Sequence, residues 1–247
     1  MAETSKTADL ALAVLLELAD AGPLTPADLA RRLKLNRTVI HRLIATLHGR
    51  GFVVRTDSGY VPGAILVRLA ERVQPELRAA AVSVMARLGA EIGETVVLHI
   101  ADGDDAMVLE QFVPRVNVVR VEHEIGSRHP LLKGASGRAL LAYLPENTVS
   151  RVLRKASSPG HIERELEAIR QLGYAVSHDE LQDGVHGLAV PVLGGPDHAL
   201  ASLAVIVPTT RAAGIGDYLD DLTAAAAEVA NSLGGGLSEV VPEAVPG

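Results

Sequence analysis

Arg31, Arg32, Lys34, Arg37, Arg42, Arg50 and Arg55 fall in a stretch that contains no Asp or Glu. Cations at this density do electrostatic chemistry: they pair with phosphate oxygens, and a guanidinium can fork onto a guanine edge. Within residues 37–48, Ile40, Leu43, Ile44 and Leu47 recur at i, i+3, i+4 and i+7, which predicts one helical stripe for burial. Helical projection places Thr38, Arg42 and Ala45 opposite that stripe, with His41 and Thr46 beside them. Such a face suits a helix entering the major groove of double-stranded DNA: Arg37 and Arg42 fit base edges, Thr38 fits a base or a phosphate, His41 fits a phosphate, and Ala45 permits close approach. Arg31, Arg32, Lys34 and Arg37 lie near the turn before this helix, where they would meet the phosphate backbone, and Asn36 in that turn is counted with the DNA-binding residues. Arg55, Ser58 and Tyr60 lie on the hairpin after it.

A solvated basic face would carry the same residues, so the neighbouring elements decide. In GPLTPADLARRL, Thr25 fits a helix N-cap, Pro26 its first position and Asp28 the capping-box position. The three residues Lys34-Leu35-Asn36 then connect to a helix capped by Asn36, which stops at Gly49-Arg50-Gly51. Residues 52–55 and 60–61 read as strands around the turn Asp57-Ser58-Gly59. The order is that of a winged helix-turn-helix, assigned to residues 1–63. Ahead of it, residues 9–19 are apolar on nearly every side, so one face packs internally and another is left for a partner subunit.

Charge divides the chain. Residues 1–72 hold ten Lys/Arg against seven Asp/Glu, whereas the rest holds thirteen against twenty-three, for a net charge of −7. A small basic part is joined to a larger acidic one that does not meet polyanions. With no cysteine there is no disulfide, thiol nucleophile or cysteine-ligated metal, which fits the cytoplasm. Aromatic residues make up only 2%, too few for base-stacking platforms. No uncharged apolar run is long enough to span a membrane, and the apolar run at residues 10–22 lacks the positive flank of a signal peptide.

Residues 64–74 read as an amphipathic linker helix ending at a hinge, Pro75, and residues 76–92 resume helical periodicity. Beyond Gly93, TVVLHIA, AMVLEQFV and VNVVRV read as strands, followed by helices at 137–144, 146–154 and 162–172. Then come strands in HGLAVPVL and ALASLAVIV and a helix at 217–233. This predicts an α+β domain over residues 76–233 and a Gly- and Pro-rich tail over 234–247. Ser136 is read as the N-cap of the helix starting at Gly137, whose end, with Gly134 beside it, would receive a small carboxylate. The plain alternative is a capped helix with Arg138 on its surface. GASG lacks the last glycine of a nucleophile elbow, and no phosphate loop or dinucleotide fingerprint is present. Histidines 99, 123, 129, 161, 178, 186 and 198 have no zinc-motif spacing and read as exposed loop residues. No cofactor, metal or catalytic residue is assigned.

Three spaced blocks, "GPLTPADLARRLKLNRTVIHRLIATLHGRGFV", "HPLLKGASGRALLAYLP" and "RQLGYAVSHDELQDGVHGLAVPV", closely resemble the IclR family of bacterial transcription regulators. The resemblance implies an N-terminal winged helix, a linker helix and a C-terminal GAF-like α+β effector-binding domain. It also implies a repressor or activator that binds operator DNA as a homodimer or homotetramer. By the same resemblance, Leu131, Ala135, Ser136, Ser177 and Gly187 line the effector pocket. Where small keto-acid responders of the family carry hydroxyl side chains, this chain has Ala204 and Ile206, so the expectation is a carboxylic acid with an apolar part or a pocket with weak ligand demand. The segment ahead of Ile162 is shorter than usual in the family and lacks its threonines. The rival reading is a metabolite-binding module or hydrolase with an attached interaction helix.

Overall fold

The computed structural model describes residues 5–195 and 198–234. Chain contacts divide these between a unit ending at Pro75 and a second beginning at Glu76.

The first unit opens with α1 (Lys6–Ala21), α2 (Pro26–Arg32) and α3 (Arg37–Gly49). The α2 N-terminus carries the full capping box: the Asp28 N–H donates to Thr25 Oγ1, and Asp28 Oδ2 accepts from the Thr25 N–H, each at 3.2 Å. The helix closes on a Schellman arrangement, with the Leu35 N–H reaching the Ala30 carbonyl at 2.9 Å. Its left-handed residue is Lys34 at φ +54°, where a glycine would be unstrained. Asn36 then caps α3, its side-chain oxygen accepting the Thr38 N–H at 2.8 Å. Val14, Leu18, Leu29, Ile40, Leu43, Ile44, Leu47 and Val53 form the core, so the whole apolar stripe of α3 is buried. Leu12 and Leu16 of α1 remain exposed.

The wing is a hairpin of β1 (Val53–Thr56) and β2 (Gly59–Pro62), to which Leu24 adds one rung through two backbone hydrogen bonds with Tyr60. That rung depends on Gly59 at φ +143°, where a Cβ would lie 2.6 Å from the Leu24 carbonyl.

The linker is shorter than its periodicity predicts. Helix α4 covers only Ile65–Ala70, and Glu71 to Gln74 turn. Pro75 explains the break: its ring disfavours helical backbone at the preceding residue, and Gln74 sits at φ +45°. Pro75 is therefore the first residue of α5 (Pro75–Ile92) rather than a hinge after a long helix.

The second unit is a six-stranded antiparallel sheet. Its strands are β3 (Thr95–Asp102), β4 (Asp105–Phe112), β5 (Arg128–Pro130), β6 (Ala175–His178), β7 (Val185–Gly195) and β8 (His198–Pro208), in the order β5-β4-β3-β8-β7-β6. Helices α6 (Gly134–Leu141), α7 (Glu146–Leu153) and α8 (Pro159–Leu172) lie between β5 and β6 in sequence, and α9 (Leu219–Leu233) follows a 3-10 segment. Strand alternation divides the core. Leu98, Leu188, Leu203 and Val205 pack with α5 and α9, while Ala106, Ala175, Ala189 and Ala204 pack with α6 and α8. The alanine face lets α6 come close, and Gly137 lets the connection from β5 pass against the helix, since a Cβ there would lie 2.9 Å from the Leu131 carbonyl.

VNVVRV is not a strand. Val116, Val118 and Val119 are exposed and only Val121 is buried, because the segment is held by side chains instead of a ladder. Asn117 donates to the Gly93 carbonyl, Arg211 to that of Val119, and Thr95 to that of Val121. Helix α6 begins at Gly134, three residues before the expected start, so Ser136 lies inside its first turn and is not its cap. Of the predicted C-terminal tail, residues 235–247 lie outside the described residues.

Gly59→Ala should lower the stability of the winged unit by about 1–3 kcal/mol, read as an earlier urea midpoint of the full chain by circular dichroism. An unchanged midpoint would mean that the Leu24 rung yields without cost.

Candidate functional site

The burial of Ile40, Leu43, Ile44 and Leu47 fixes which way α3 turns, and Arg37, Thr38, His41, Arg42, Ala45 and Thr46 are all exposed on its other side. The Thr46 hydroxyl donates back to the Arg42 carbonyl at 3.0 Å and is not free for a partner. Among the described residues Lys34, Arg37, Arg42 and Arg55 have no ion-pair partner. Arg31 and Arg32, of the same run, differ. Arg31 pairs with Asp28 and Arg32 with Glu17, each at 2.6 Å, so these two brace α2 and α1.

The wing places Arg55 opposite Tyr60. Tyr60 is half-buried, its ring edge-on to His48, whose Nδ1 lies 3.1 Å from the Val53 carbonyl. Ser58 is exposed, with its hydroxyl 3.2 Å from that of Thr56. The arrangement offers an uncompensated cationic surface on a rigid helix, flanked by a turn and a hairpin, able to bind a polyanion and to read planar acceptor edges.

The second site lies between α6 and the sheet. Ala135 and Ser136 from α6, Ser177 from β6, Gly187 from β7, and Ala204 and Ile206 from β8 surround a cavity of about 20 Å³, closed by His123, Leu181 and Val185. Four of the residues expected at an effector pocket thus come together: Ala135, Ser136, Ser177 and Gly187. Leu131 is fully buried beneath α6 and does not line the cavity. Gly134, at φ +74°, donates its N–H to Glu180 Oε2 at 3.0 Å, so that end of the helix already holds an internal carboxylate. A molecule larger than a water needs the lining side chains to move apart.

Arg138 is not on the surface but buried. It forks onto Glu180 at 2.5 and 2.7 Å, donates to the Val176 carbonyl, and has Nε 2.7 Å from Glu165 Oε1. Burial pushes the Glu180 carboxyl up, but the hydrogen bonds from Arg138 and Gly134 outweigh it and leave its pKa below the usual value.

The histidines depart furthest from expectation. His99 is fully buried on β3, and His123 and His129 are half-buried against it in edge-on contacts with ring centroids 6.1 and 5.4 Å from its own. His178 and His186 pair through Nδ1 atoms 2.6 Å apart, and His186 is buried. Alternation in TVVLHIA could have placed His99 on the face opposite Leu98 and Ile100; His123 and Glu180 stood out in the sequence only within the dense groups Glu122-His123-Glu124 and His178-Asp179-Glu180, and nothing marked Leu181. Among the described residues no group of three or more His, Asp or Glu is arranged to hold a metal ion.

Residues 72–233 match the family model of the bacterial transcriptional regulator IclR C-terminal domain, and residues 7–60 match that of the MarR family. The chain is 31% identical over 211 residues to the probable transcriptional regulator SauR of Cupriavidus necator, covering 80% of this chain and 83% of that protein. The crystal structure of an IclR transcriptional regulator from Alicyclobacillus acidocaldarius superposes with a TM-score of 0.79 at 27% identity, over 93% of this chain and 99% of the other. An IclR homolog from Microbacterium hydrocarbonoxydans, complexed with 4-hydroxybenzoate, gives 0.81 at 23% identity over 92% and 99%, a likeness of fold alone.

The buried histidines set a pH dependence. Burial holds His99 well below the ordinary histidine value, and the charges of His129 and His123 add to it; burial lowers the other two as well. The unfolded chain therefore takes up protons near pH ~6.5 that the folded domain refuses. Stability is fully present above that pH and is lost as pH falls below it, by at most about 1.4 kcal/mol per pH unit for His99. Urea unfolding of the full chain should give a lower midpoint at about pH 5.5 than at about pH 7.5, a window above carboxylate titration. Equal midpoints would contradict the burial of neutral imidazoles.

Proposed function

The chain belongs to the IclR family of transcriptional regulators, and we propose that it binds one operator through α3 under the control of an organic acid held between α6 and the sheet. Residues 1–63 serve as the DNA-binding domain, 64–75 as the linker and 76–233 as the effector-binding domain. The observation that carries the reading is the exposed face of α3, whose Arg37 and Arg42 have no ion-pair partner among the described residues. Arg37 and Arg42 take base edges. Thr38 and His41 flank them, Lys34 and Asn36 meet phosphate ahead of the helix, and Arg55, Ser58 and Tyr60 meet it from the wing. Arg32 contributes only charge, since Glu17 already holds its guanidinium.

A homodimer, or a homotetramer built from it, places two copies of α3 about 34 Å apart, one turn of DNA or a multiple of it. Exposed Leu12 and Leu16 on α1, and Val67, Leu69 and Val73 in the linker, support a second copy as their cover. Among the described residues no helix is long and apolar enough to cross a membrane, and a cytoplasmic site of action agrees with a cysteine-free DNA-binding chain. An effector alters operator affinity only by its unequal affinity for the DNA-competent and incompetent arrangements. The turn of residues 71–74, between α4 and α5, is where those arrangements differ.

The effector reading rests on the lining. Ala135, Leu181, Val185, Ala204 and Ile206 present hydrocarbon, while Ser136 and Ser177 supply the hydroxyls. The 4-hydroxybenzoate held by the Microbacterium homolog is an acid with an apolar body, the class this lining suits.

Arg42→Ala should cost about 1–3 kcal/mol of operator affinity and relax the preference at one base pair. Lys34→Ala should weaken all sequences alike and reduce the slope of log K against log salt by about one. Electrophoretic shift titrations across salt concentrations check both, and unchanged affinity and slope in both variants would defeat the assignment. Calorimetry should also show weaker binding of glyoxylate or pyruvate than of 4-hydroxybenzoate; tight binding of either keto acid would overturn the apolar reading of the pocket.

A further inference from the structure

Behind the cavity wall lies a group of side chains that the reading above does not use. His99 is buried on β3 with neither ring nitrogen hydrogen-bonded. Buried polar atoms in folded proteins are nearly all paired, so two orphans on one ring need a reason. One flank of that ring is His123, which itself lines the cavity; the other is His129, whose Nε2 lies 3.3 Å from the hydroxyl of Ser136, another lining residue. The backbone of His123 is fixed from both sides by Gln111, which accepts its N–H and donates to its carbonyl, so the ring is held at the wall. One imidazole, His123, thus lies at the wall of a cavity whose remaining lining is apolar or hydroxylic, and His99 and His129 stand behind it.

No fixed cation is supplied at that end. None of the lining residues is Lys, Arg, Asp or Glu. Arg138 on α6, the buried cation of that helix, is turned to Glu180 and Glu165. Ser202, beside His99 on β8, is uncharged and donates to the Ser136 carbonyl. On the remaining sides, Asp105 acts electrostatically on His129, as do the backbone groups of Pro130 and Lys133, and the charges of the three histidines oppose one another. A neutral imidazole offers a carboxylate one N–H and no charge; a positive charge to hold an organic anion at this wall comes with a proton taken up.

We infer that His99, His123 and His129 form the proton-accepting, specificity-determining end of the effector pocket, and that an organic acid binds there as its carboxylate together with one proton from solvent. The proton is taken up on an imidazole nitrogen at the cavity wall, and the resulting N–H donates to the carboxylate oxygen; no covalent bond forms or breaks. The apolar body of the acid then lies against Ala135, Leu181, Val185 and Ile206. The inference rests on the reading of this cavity as the effector site and adds which chemical group is recognised and how. It requires the acid to be preferred over its neutral counterpart, and binding to strengthen as pH falls.

The test is titration calorimetry on the full-length protein with benzoate, phenylacetate and butyrate, each beside its neutral amide, in buffers of different ionisation enthalpy. At least one acid should bind with uptake of about one proton, its Kd rising about tenfold per pH unit above neutrality, while its amide binds more weakly and without a proton. His123→Gln should abolish the proton uptake and weaken the acid about tenfold or more with little change for the amide. His99→Gln should do the same if it folds, and His123, being at the wall, keeps the test open if it does not. Binding without proton uptake, or amides that bind as well as their acids, overturns the inference and leaves the effector pocket standing. Failure of all six compounds to bind overturns the inference and the organic-acid reading together.

Discussion

What α3 offers to a partner depends on the burial of Ile40, Leu43, Ile44 and Leu47. Those four side chains fix the rotation of the helix about its axis, and the rotation decides that Arg37, Thr38, His41 and Arg42 face outward together. A chain of net charge −7 can meet DNA only where its cations are gathered and left uncompensated. Here the local acids are spent elsewhere: Asp28 serves the α2 cap and Arg31, and Glu17 holds Arg32. The free cations begin at Lys34, in a left-handed backbone conformation that glycine would occupy more easily.

The second unit follows the same logic with a different surface. All eight residues of α6 are buried, because an alanine-lined sheet face lets the helix settle close against the strands and Gly137 lets the connection from β5 lie against it. Near Gly187 the absence of a side chain leaves a gap between Ser177, Ala135 and Ile206. The carboxylate of Glu180 takes the Gly134 N–H and the Arg138 guanidinium, which fastens the connection carrying Leu181 over that gap. Polar groups that remain at the cavity are the hydroxyls of Ser136 and Ser177 and the imidazole of His123, and this sets the chemistry a ligand meets.

Most of the N-terminal unit was legible in the sequence because its signals are local. Thr25 and Asp28 form their capping box, Asn36 caps α3, and the period of the apolar residues matches the buried stripe. In the second unit the misreadings are those where distant contacts overrule local pattern. VNVVRV has the β-branched texture of a strand, but Asn117, Arg211 and Thr95 hold it as an irregular connection. The linker keeps helical periodicity through Gln74, yet Pro75 breaks it. Ser136 looks like a cap because GASG is followed by a helical run; a left-handed Gly134 starts the helix earlier. The histidines looked like surface loop residues because burying an imidazole without partners runs against the general rule, and only the folded sheet brings His99, His123 and His129 together.

DNA recognition by this chain rests on the free cationic, base-reading face of α3. The decisive comparison is the full-length protein's affinity for the DNA upstream of its own gene against that for scrambled DNA of the same length, as a function of salt. Tighter binding to the upstream sequence is expected, with log K for both falling linearly with log salt and the preference persisting as salt rises. Equal affinity for the two duplexes, or binding indifferent to salt, would contradict it.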